Sequence, residues 1–508
     1  MIMSMSLFVE NTNSFTNLLK ININNIQTCA IISIYFSYII TVFACFIEYK
    51  ENYELVYNKK DLTLSAYFIT ILTIFSFLIL SDNFISLYIG VEAYSIIMYI
   101  VLSLYNTKKN VFSARKIELT LKYLLISFIG SIIFLTGIVF CFMSFGDLTF
   151  SNYHFVFDSP SNEEHPYFFN SSKKFSLGMV IVGLCVKAGL APYHSWINGV
   201  YDSFSSKIFH FSIVYPKFVF FFIIFNIFIN YPTNISFFSV KFENFFIFLG
   251  LTNLFIGTFS ASKQTNVKKL LMYSSIANSG YIFMSFSSDS IYGFSTINYL
   301  YMYFFSINFF FIVFFNLYNK NEYSNDQTWT FSNFSNITDN FSKLALTIAI
   351  INFSGMPPFI MFFAKLPILF NFVSSGKFIF AVIILVFSVI SAYYSIKLIF
   401  HIWFFNTSKS IYDVNKQYKK RIKFYYLEKL GKNTDWATIT SVITNFDGEV
   451  VNIYKHIIND INFKFNSTVY LDNWLLRYKR SIIKFCIFVS FLGVFILYFN
   501  FLFYFVLA

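Results

Sequence analysis

Long apolar runs recur from one end of this chain to the other, and they restrict the fold more than any other feature of the sequence. Of 508 residues, 56% are hydrophobic and only 12% charged, and stretches of eighteen or more apolar residues follow one another along the whole length. Such a segment crosses a bilayer as a helix, because in lipid each backbone N–H and C=O must be paired inside the protein. The alternating ten-residue segments of a transmembrane strand do not appear. The expected fold is therefore all-α, a polytopic transmembrane helical bundle of about 12 spans with discontinuous helices. The spans are read at 28–48, 63–81, 84–104, 117–142, 176–195, 206–230, 243–261, 267–287, 292–318, 343–372, 377–405 and 481–506. Four units result: an N-terminal segment 1–27, a transmembrane core 28–405, a polar basic insertion 406–480 and a C-terminal transmembrane helix 481–508.

Three of the apolar stretches hold a lone lysine beside a helix-breaking proline: Lys187 before Pro192, Lys217 directly after Pro216, and Lys365 after Pro357-Pro358. A charge at the bilayer centre costs about 2.5 to 3.5 kcal/mol on insertion scales, and proline leaves backbone carbonyls without their helical donor. Residues that costly mark ion paths. Lysines near helix ends also snorkel toward the interface, but these three lie beside their prolines well inside apolar stretches. Glu92, within 84–104, is a carboxylate in a similar setting; the alternative is a structural partner for a buried hydroxyl such as Tyr94 or Ser95. His210 precedes Lys217 by seven residues, roughly on one helix face, and reads equally as a satisfied core histidine and as a proton relay. Glu118 and Lys122, four residues apart at the start of a span, read as an interfacial helix pair. His194 reads as a structural residue capping a broken helix.

Composition adds a source and an orientation. Seventy-five Phe and 36 Tyr exceed what packing needs; together with Ile and Asn their A- and T-rich codons point to a biased genome, as an organelle carries. Met1 to Asn24 contain no Arg and no cleavable presequence pattern, so no import signal is expected. Cys29, Cys45, Cys141, Cys185 and Cys486 lie scattered in or beside apolar runs, without CxxC spacing or a histidine cluster, which predicts packing residues and neither zinc nor iron–sulfur ligation. Alternate connections are basic: Lys59 and Lys60; Lys108, Lys109, Arg115 and Lys116; Lys207; Lys263, Lys268 and Lys269. The others carry Asp82, then Asp147, Asp158, Glu163 and Glu164 against Lys173 and Lys174. The basic side is the inside, and an even span count puts both termini opposite. The stretch 408–480 falls inside, with Lys416, Lys419, Lys420, Arg421 and Lys423 close together and Arg477, Lys479 and Arg480 before the last span. It reads as a solvated extension with a basic anchor, or as a docking surface for an acidic partner or anionic lipid headgroups. Topology accounts for much of the net charge of +12, so nucleic acid is not an expected partner.

The residues around the lysines also carry a resemblance. Val186-Lys187-Ala-Gly-Leu-Ala-Pro192-Tyr-His194-Ser-Trp196, with Pro216-Lys217 downstream, resembles the KxGxAPFHxW block and trailing lysine of the subunit 2 family of respiratory complex I, the proton-pumping NADH:ubiquinone oxidoreductase. Three more blocks agree in order. Ile89-Gly90-Val91-Glu92 is similar to the family's GLE, Gln264 through Ile276 to its QxNxKRLLAYSSI, and Gly355-Met-Pro357-Pro358 through Lys365 to its GxPPxxGFxxK. The likeness covers roughly 60–405. Departures are found where the family's PDVYEGAP reads Asn198-Gly199-Val-Tyr-Asp202-Ser-Phe-Ser, where its GF is Met361-Phe362, and beyond 405. Two spans precede that of Glu92, against four in the bacterial-type bundle.

The resemblance implies an antiporter-like fold and a proton pathway through Glu92, Lys187, Lys217 and Lys365, in which Glu92 modulates Lys187 and the other lysines pass protons on through water. Burial disfavours a charged lysine and a nearby carboxylate favours it, which is the physical basis of such a switch. It implies a mitochondrial inner-membrane protein whose partners are other complex I membrane subunits, including adjacent antiporter-like and small ones, together with lipid. NADH, FMN, iron–sulfur clusters and ubiquinone are then expected in other subunits; no GxGxxG after a strand, Walker loop, haem-ligand pair or cysteine cluster suggests a cofactor on this chain. The rival readings are the paralogous subunits 4 and 5, a stand-alone cation/proton antiporter, and a structural spacer that has lost pumping. KAGLAPYH favours subunit 2 over the KSAQxPFH of subunit 5. Cysteine labelling in intact organelles is expected to find 408–480 on the matrix side and both termini on the other; protease cleavage at Lys420 from the intermembrane space would reverse the topology.

Overall fold

The computed structural model describes residues 25–49, 59–104, 113–150, 166–229, 240–288, 294–318, 331, 340–357 and 359–404. Among them are thirteen helices: α1 Asn25–Tyr49, α2 Lys59–Leu80, α3 Phe84–Leu104, α4 Ser113–Phe145, α5 Pro166–Ala188, α6 Ile197–Asp202, α7 Ser206–Ile229, α8 Val240–Lys263, α9 Val267–Ser288, α10 Phe294–Tyr318, α11 Asn340–Ser354, α12 Ile360–Ser374 and α13 Phe378–Trp403. The described residues form no strand beyond an isolated bridge between Asn83 and Thr149. The basic insertion 406–480, the span at 481–506 and the first twenty-four residues lie outside the described part.

Burial divides the bundle into a centre and a rim. Helix α7 is enclosed on all sides and α10 nearly so, whereas α2, α4 and α13 bury about a third of their apolar windows. Their outward residues, among them Leu125, Phe128 and Met143 of α4 and Ile379, Val389 and Tyr393 of α13, are large and apolar. Long apolar helices with such faces suit contact with lipid or other membrane chains. Small residues set the closest crossings. A Cβ built on Gly137 of α4 would lie 2.7 Å from the Val180 nitrogen of α5, and one on Gly257 of α8 would lie 2.5 Å from the Ala277 nitrogen of α9. Without a hydrophobic force between helices in lipid, such close backbone approach is a main source of packing energy.

The spans at 176–195 and 343–372 are corrected by the structure. Helix α5 ends at Ala188 in a left-handed Gly189 (φ +66°), with Gly189 N–H on Val186 O at 3.1 Å and Leu190 N–H on Cys185 O at 2.9 Å. This pair of bonds is a Schellman stop. The chain then turns through Pro192 into the six-residue α6, rather than continuing to 195. The stretch 343–372 is two helices, α11 and α12, separated at Gly355 (φ +77°). Pro216, by contrast, does not break α7. A proline frees the carbonyl four residues earlier, here that of Ser212, and the Tyr201 hydroxyl donates to it at 3.2 Å.

The turn after α5 is held from outside. Asn253 of α8 accepts the Ala191 N–H at 2.9 Å and donates to the Ala191 carbonyl at 3.2 Å. One side chain therefore satisfies both polar groups of a buried residue that lies in no helix. Asn253→Leu, close in volume, would orphan the pair at about 1 to 3 kcal/mol per group. We expect a lower thermal unfolding midpoint in the membrane-embedded protein; an unchanged midpoint would mean that the turn satisfies itself.

Candidate functional site

The four sequence-predicted residues sit on helices that follow one another across the bundle. Glu92 lies midway along α3 and Lys187 in the last turn of α5, and the Lys187 ammonium donates to Glu92 Oε1 at 2.6 Å. The lysine side chain is 3% exposed and the glutamate 29%, so the pair joins an enclosed cation to a carboxylate at the edge of the chain. Glu92 Oε2 also accepts from the Ser95 hydroxyl at 3.3 Å. The carboxylate thus lies beside both Lys187 and the Ser95 hydroxyl. The C-terminal position in α5 adds the negative end of a helix dipole beside the ammonium.

Lys217 lies one residue after Pro216 in the enclosed helix α7, which packs on α5 and α9. Its ammonium donates to Ser275 Oγ of α9 at 2.6 Å, and Ser275 gives its own proton to the Met272 carbonyl at 2.6 Å. No carboxylate touches it among the described residues. A small cavity of ≈ 10 Å³ adjoins it, bordered by Phe218, Phe221, Ile282 and Leu300 beside Lys217 and Ser275, and the surface it presents is apolar.

Lys365, in the second turn of α12, reaches back across the helix break. Its ammonium donates at 2.9 Å to the carbonyl of Ser354, the last residue of α11, which also accepts from Ser391 of α13 at 3.2 Å. It lies over the face of the Tyr281 ring, 4.6 Å from the centroid. A terminal helical carbonyl carries partial negative charge and an unused lone pair, so the break itself furnishes the binding site for the cation. Helix α9, with Tyr281 and Ser275, packs against both α7 and α12 and thus touches both lysine helices.

The remaining sequence candidates fall as follows. His210 Nε2 donates to Asn308 Oδ1 at 2.8 Å, since the Asn308 amide nitrogen is engaged with Phe304 O, and its ring packs against Phe311 and Phe315. Glu118 and Lys122 form an ion pair whose side chains are 57% and 55% exposed, as an interfacial pair should. His194 does not cap α6, whose start has no side-chain cap; its Nδ1 lies 3.3 Å from Pro192 O within the turn. Lys268, counted among the loop charges, is buried and donates to Phe204 O at 2.7 Å. Asn266 caps α9, accepting the Lys268 N–H at 3.0 Å. Lys343, 6% exposed in the first turn of α11 and 6.0 Å from the Trp403 ring, went unnoticed because it sits at the edge of a span. Asn253, Tyr201 and Ser275 also went unnoticed, since a single polar residue in a helix carries no signal of what it will meet.

Residues 81–391, more than half of the chain, match the family model described as NADH:quinone oxidoreductase/Mrp antiporter, TM. The chain belongs to this family. The NADH-quinone oxidoreductase subunit N of Wolbachia from Brugia malayi is 30% identical over 336 residues, covering 66% of this chain and 68% of that protein. The NADH-ubiquinone oxidoreductase chain 2 of Rhizopus oryzae is 26% identical over 369 residues, covering 69% and 66%. A chain of respiratory complex I from Thermus thermophilus with bound aureothin superposes with a TM-score of 0.52 at 21% identity, covering 66% of this chain and 69% of that one. The fold is thus that of antiporter-like membrane subunits.

In this family member, Gly355 is the closest constraint on Lys365. A Cβ there would stand 2.7 Å from the Lys365 ammonium nitrogen, and its φ of +77° disfavours side chains independently. Asn visits that φ more readily than Ala, because its short polar side chain can hydrogen-bond to the local backbone. Gly355→Ala should therefore unfold at a lower temperature than Gly355→Asn, with both below wild type. A Gly355→Asn protein as stable as wild type would show that backbone strain, not the lysine contact, requires glycine.

Proposed function

We propose that this chain is the subunit 2 (subunit N) member of a respiratory NADH:quinone oxidoreductase and that it moves protons across the membrane, driven by redox chemistry in other subunits. The observation that carries the reading is the order of charges on packed helices: a Glu92–Lys187 ion pair at one edge, then Lys217 and Lys365, buried and touching no carboxylate among the described residues. An ammonium in a membrane interior is retained at a cost of about 2.5 to 3.5 kcal/mol or more, which packing alone does not recover. In this mechanism a shift of Glu92 relative to Lys187 alters the charge that Lys187 tolerates, and the proton is handed through Lys217 to Lys365. His210 is a structural residue in this reading, because Asn308 and aromatic rings satisfy it. The relatives named subunit N and chain 2 support subunit 2 over subunits 4 and 5 and over a stand-alone antiporter.

The same reading assigns the finer points. Partners are the adjacent antiporter-like and small membrane subunits; NADH, FMN, iron–sulfur clusters and ubiquinone belong to other chains of the assembly. The compartment is the mitochondrial inner membrane, supported by the A- and T-rich codon usage inferred from 75 Phe and 36 Tyr and by a fungal chain 2 relative. Glu92→Gln keeps the shape and the Ser95 contact but removes the charge. Electron transfer to quinone and proton pumping should fall together in the assembled complex, by on the order of tenfold for each 1.4 kcal/mol of charge interaction lost at the rate-limiting step. Pumping at the wild-type rate in an assembled Glu92→Gln complex would refute the role of the pair.

A further inference from the structure

Lys187 stands on a helix end that the bundle holds from two sides. Along its length α5 meets α4 backbone to backbone: a Cβ on Gly183 of α5 would lie 2.8 Å from the Phe134 nitrogen of α4, beyond the crossing at Gly137 and Val180. The Lys187 stem itself lies on Gly130, where a Cβ would stand 3.1 Å from the lysine Cγ. Past the stop, Asn253 of α8 is fully buried and uses its whole hydrogen-bonding capacity. Its Oδ1 accepts the Ala191 N–H at 2.9 Å and the Ser279 hydroxyl of α9 at 3.4 Å. Its Nδ2 donates to the Ala191 carbonyl at 3.2 Å and to Leu249 O at 2.7 Å. A flipped amide would set donor against donor at the Ala191 N–H and acceptor against acceptor at Leu249 O, so the orientation is determined.

Helix α8 is in turn fixed to α9. Gly250 and Gly257 lie three residues before and four after Asn253. A Cβ on Gly280 of α9 would lie 2.9 Å from Gly250 O, and one on Gly257 would lie 2.5 Å from the Ala277 nitrogen. Backbones in contact have no side chain between them to repack. The other member of the ion pair is held differently. At the single glycine of α3, Gly90, the neighbours are the Leu78 and Phe77 side chains rather than backbone, and the Glu92 side chain is 29% exposed.

We propose that Asn253 is a positioning residue that fixes the stop of α5 to the α8–α9 pair, so that Lys187 is the stationary member of the ion pair and the shift enters on Glu92 and α3. This deepens the proton-transfer reading above and rests on it. A positive-φ glycine at a helix end is the usual place for a hinge. Here Ile197 of α6 fills the space beside Gly189, and Asn253 holds both polar groups of Ala191, so the interruption is a mount.

The test is a double-mutant cycle in assembled complexes between Asn253→Leu and Glu92→Gln. Misplacing a reacting group by about an ångström can cost up to about a hundredfold, and Asn253→Leu should slow coupled turnover by about tenfold. If the loss comes from a misplaced Lys187, it largely disappears where the carboxylate charge is already gone: adding Asn253→Leu to Glu92→Gln should lower turnover by less than about twofold. Losses that multiply, as for an independent structural defect, overturn the proposal, and so does wild-type turnover in Asn253→Leu. Wild-type pumping in Glu92→Gln refutes the proton-transfer reading and the proposal with it. Maps of the wild-type complex at rest and during turnover give a readout that needs no variant. The Asn253–Ala191 bonds should persist in both while Glu92 moves relative to Lys187; broken Asn253–Ala191 bonds, or a displaced α5 stop beside a stationary α3, overturn the proposal.

Discussion

Backbone carbonyls that proline and glycine deprive of their helical donors are the constraint around which this bundle is organised. Inside a bilayer no water replaces a lost donor, so another part of the chain has to supply one. The structure answers three of these interruptions with specific side chains. Tyr201 meets the Ser212 carbonyl freed by Pro216, Asn253 meets both groups of Ala191 in the turn after α5, and Lys365 with Ser391 meets the Ser354 carbonyl at the end of α11. The polar file thus runs where the helical ladder fails. Interruptions that would weaken a soluble helix here fix the positions of the groups that carry charge.

The three lysines are held by three different kinds of partner. Lys187 has a carboxylate, Lys217 a serine hydroxyl and Lys365 a terminal carbonyl with an aromatic face. An ion pair in a low-dielectric interior is strong, yet desolvating two charges offsets much of the gain. A hydroxyl or carbonyl costs less to bury but offers only partial charge. The charge on Lys187 is therefore matched by a whole unit, and that on Lys217 and Lys365 by dipoles. Glu92 is the one acid of the set, and its side chain is far more exposed than that of Lys187. A change imposed there reaches Lys187 directly and the other lysines only through what lies between.

Much of this was legible before any coordinates. Apolar runs gave the helices, and the bounds at 84–104 coincide with those of α3, because a bilayer leaves a long apolar segment few alternatives. Lys187, Lys217 and Lys365 stood out because charge in such a run is costly. What the sequence concealed was how proline acts. Pro216 sits within an unbroken helix, since Tyr201 replaces the missing bond, whereas the stop after Lys187 is made by Gly189 before Pro192 is reached. Proline marks a lost donor, and only the tertiary structure decides whether the helix survives it. Lys268 shows the converse failure: counted by loop position as a solvated charge, it turns inward onto Phe204 O.

The abundance of phenylalanine acquires a physical role in this setting even if codon bias supplied it. Phe68, Phe75, Phe211 and Tyr215 stack together on the enclosed helix α7 and its neighbour α2, and Phe218, Phe304 and Tyr301 form a second cluster beside Lys217. Large rings pack without polar atoms and leave little room for water. Proton transfer needs continuous hydrogen-bonding groups, so a wall of phenyl rings confines it to the places where hydroxyls, amides and ammonium groups interrupt the wall. A leak would require a second polar file through that packing. The same low dielectric that makes each buried charge costly also lets neighbouring charges act strongly on one another. In the proposed mechanism, selectivity of path and sensitivity to Glu92 therefore have one cause, the aromatic packing around a narrow line of polar groups.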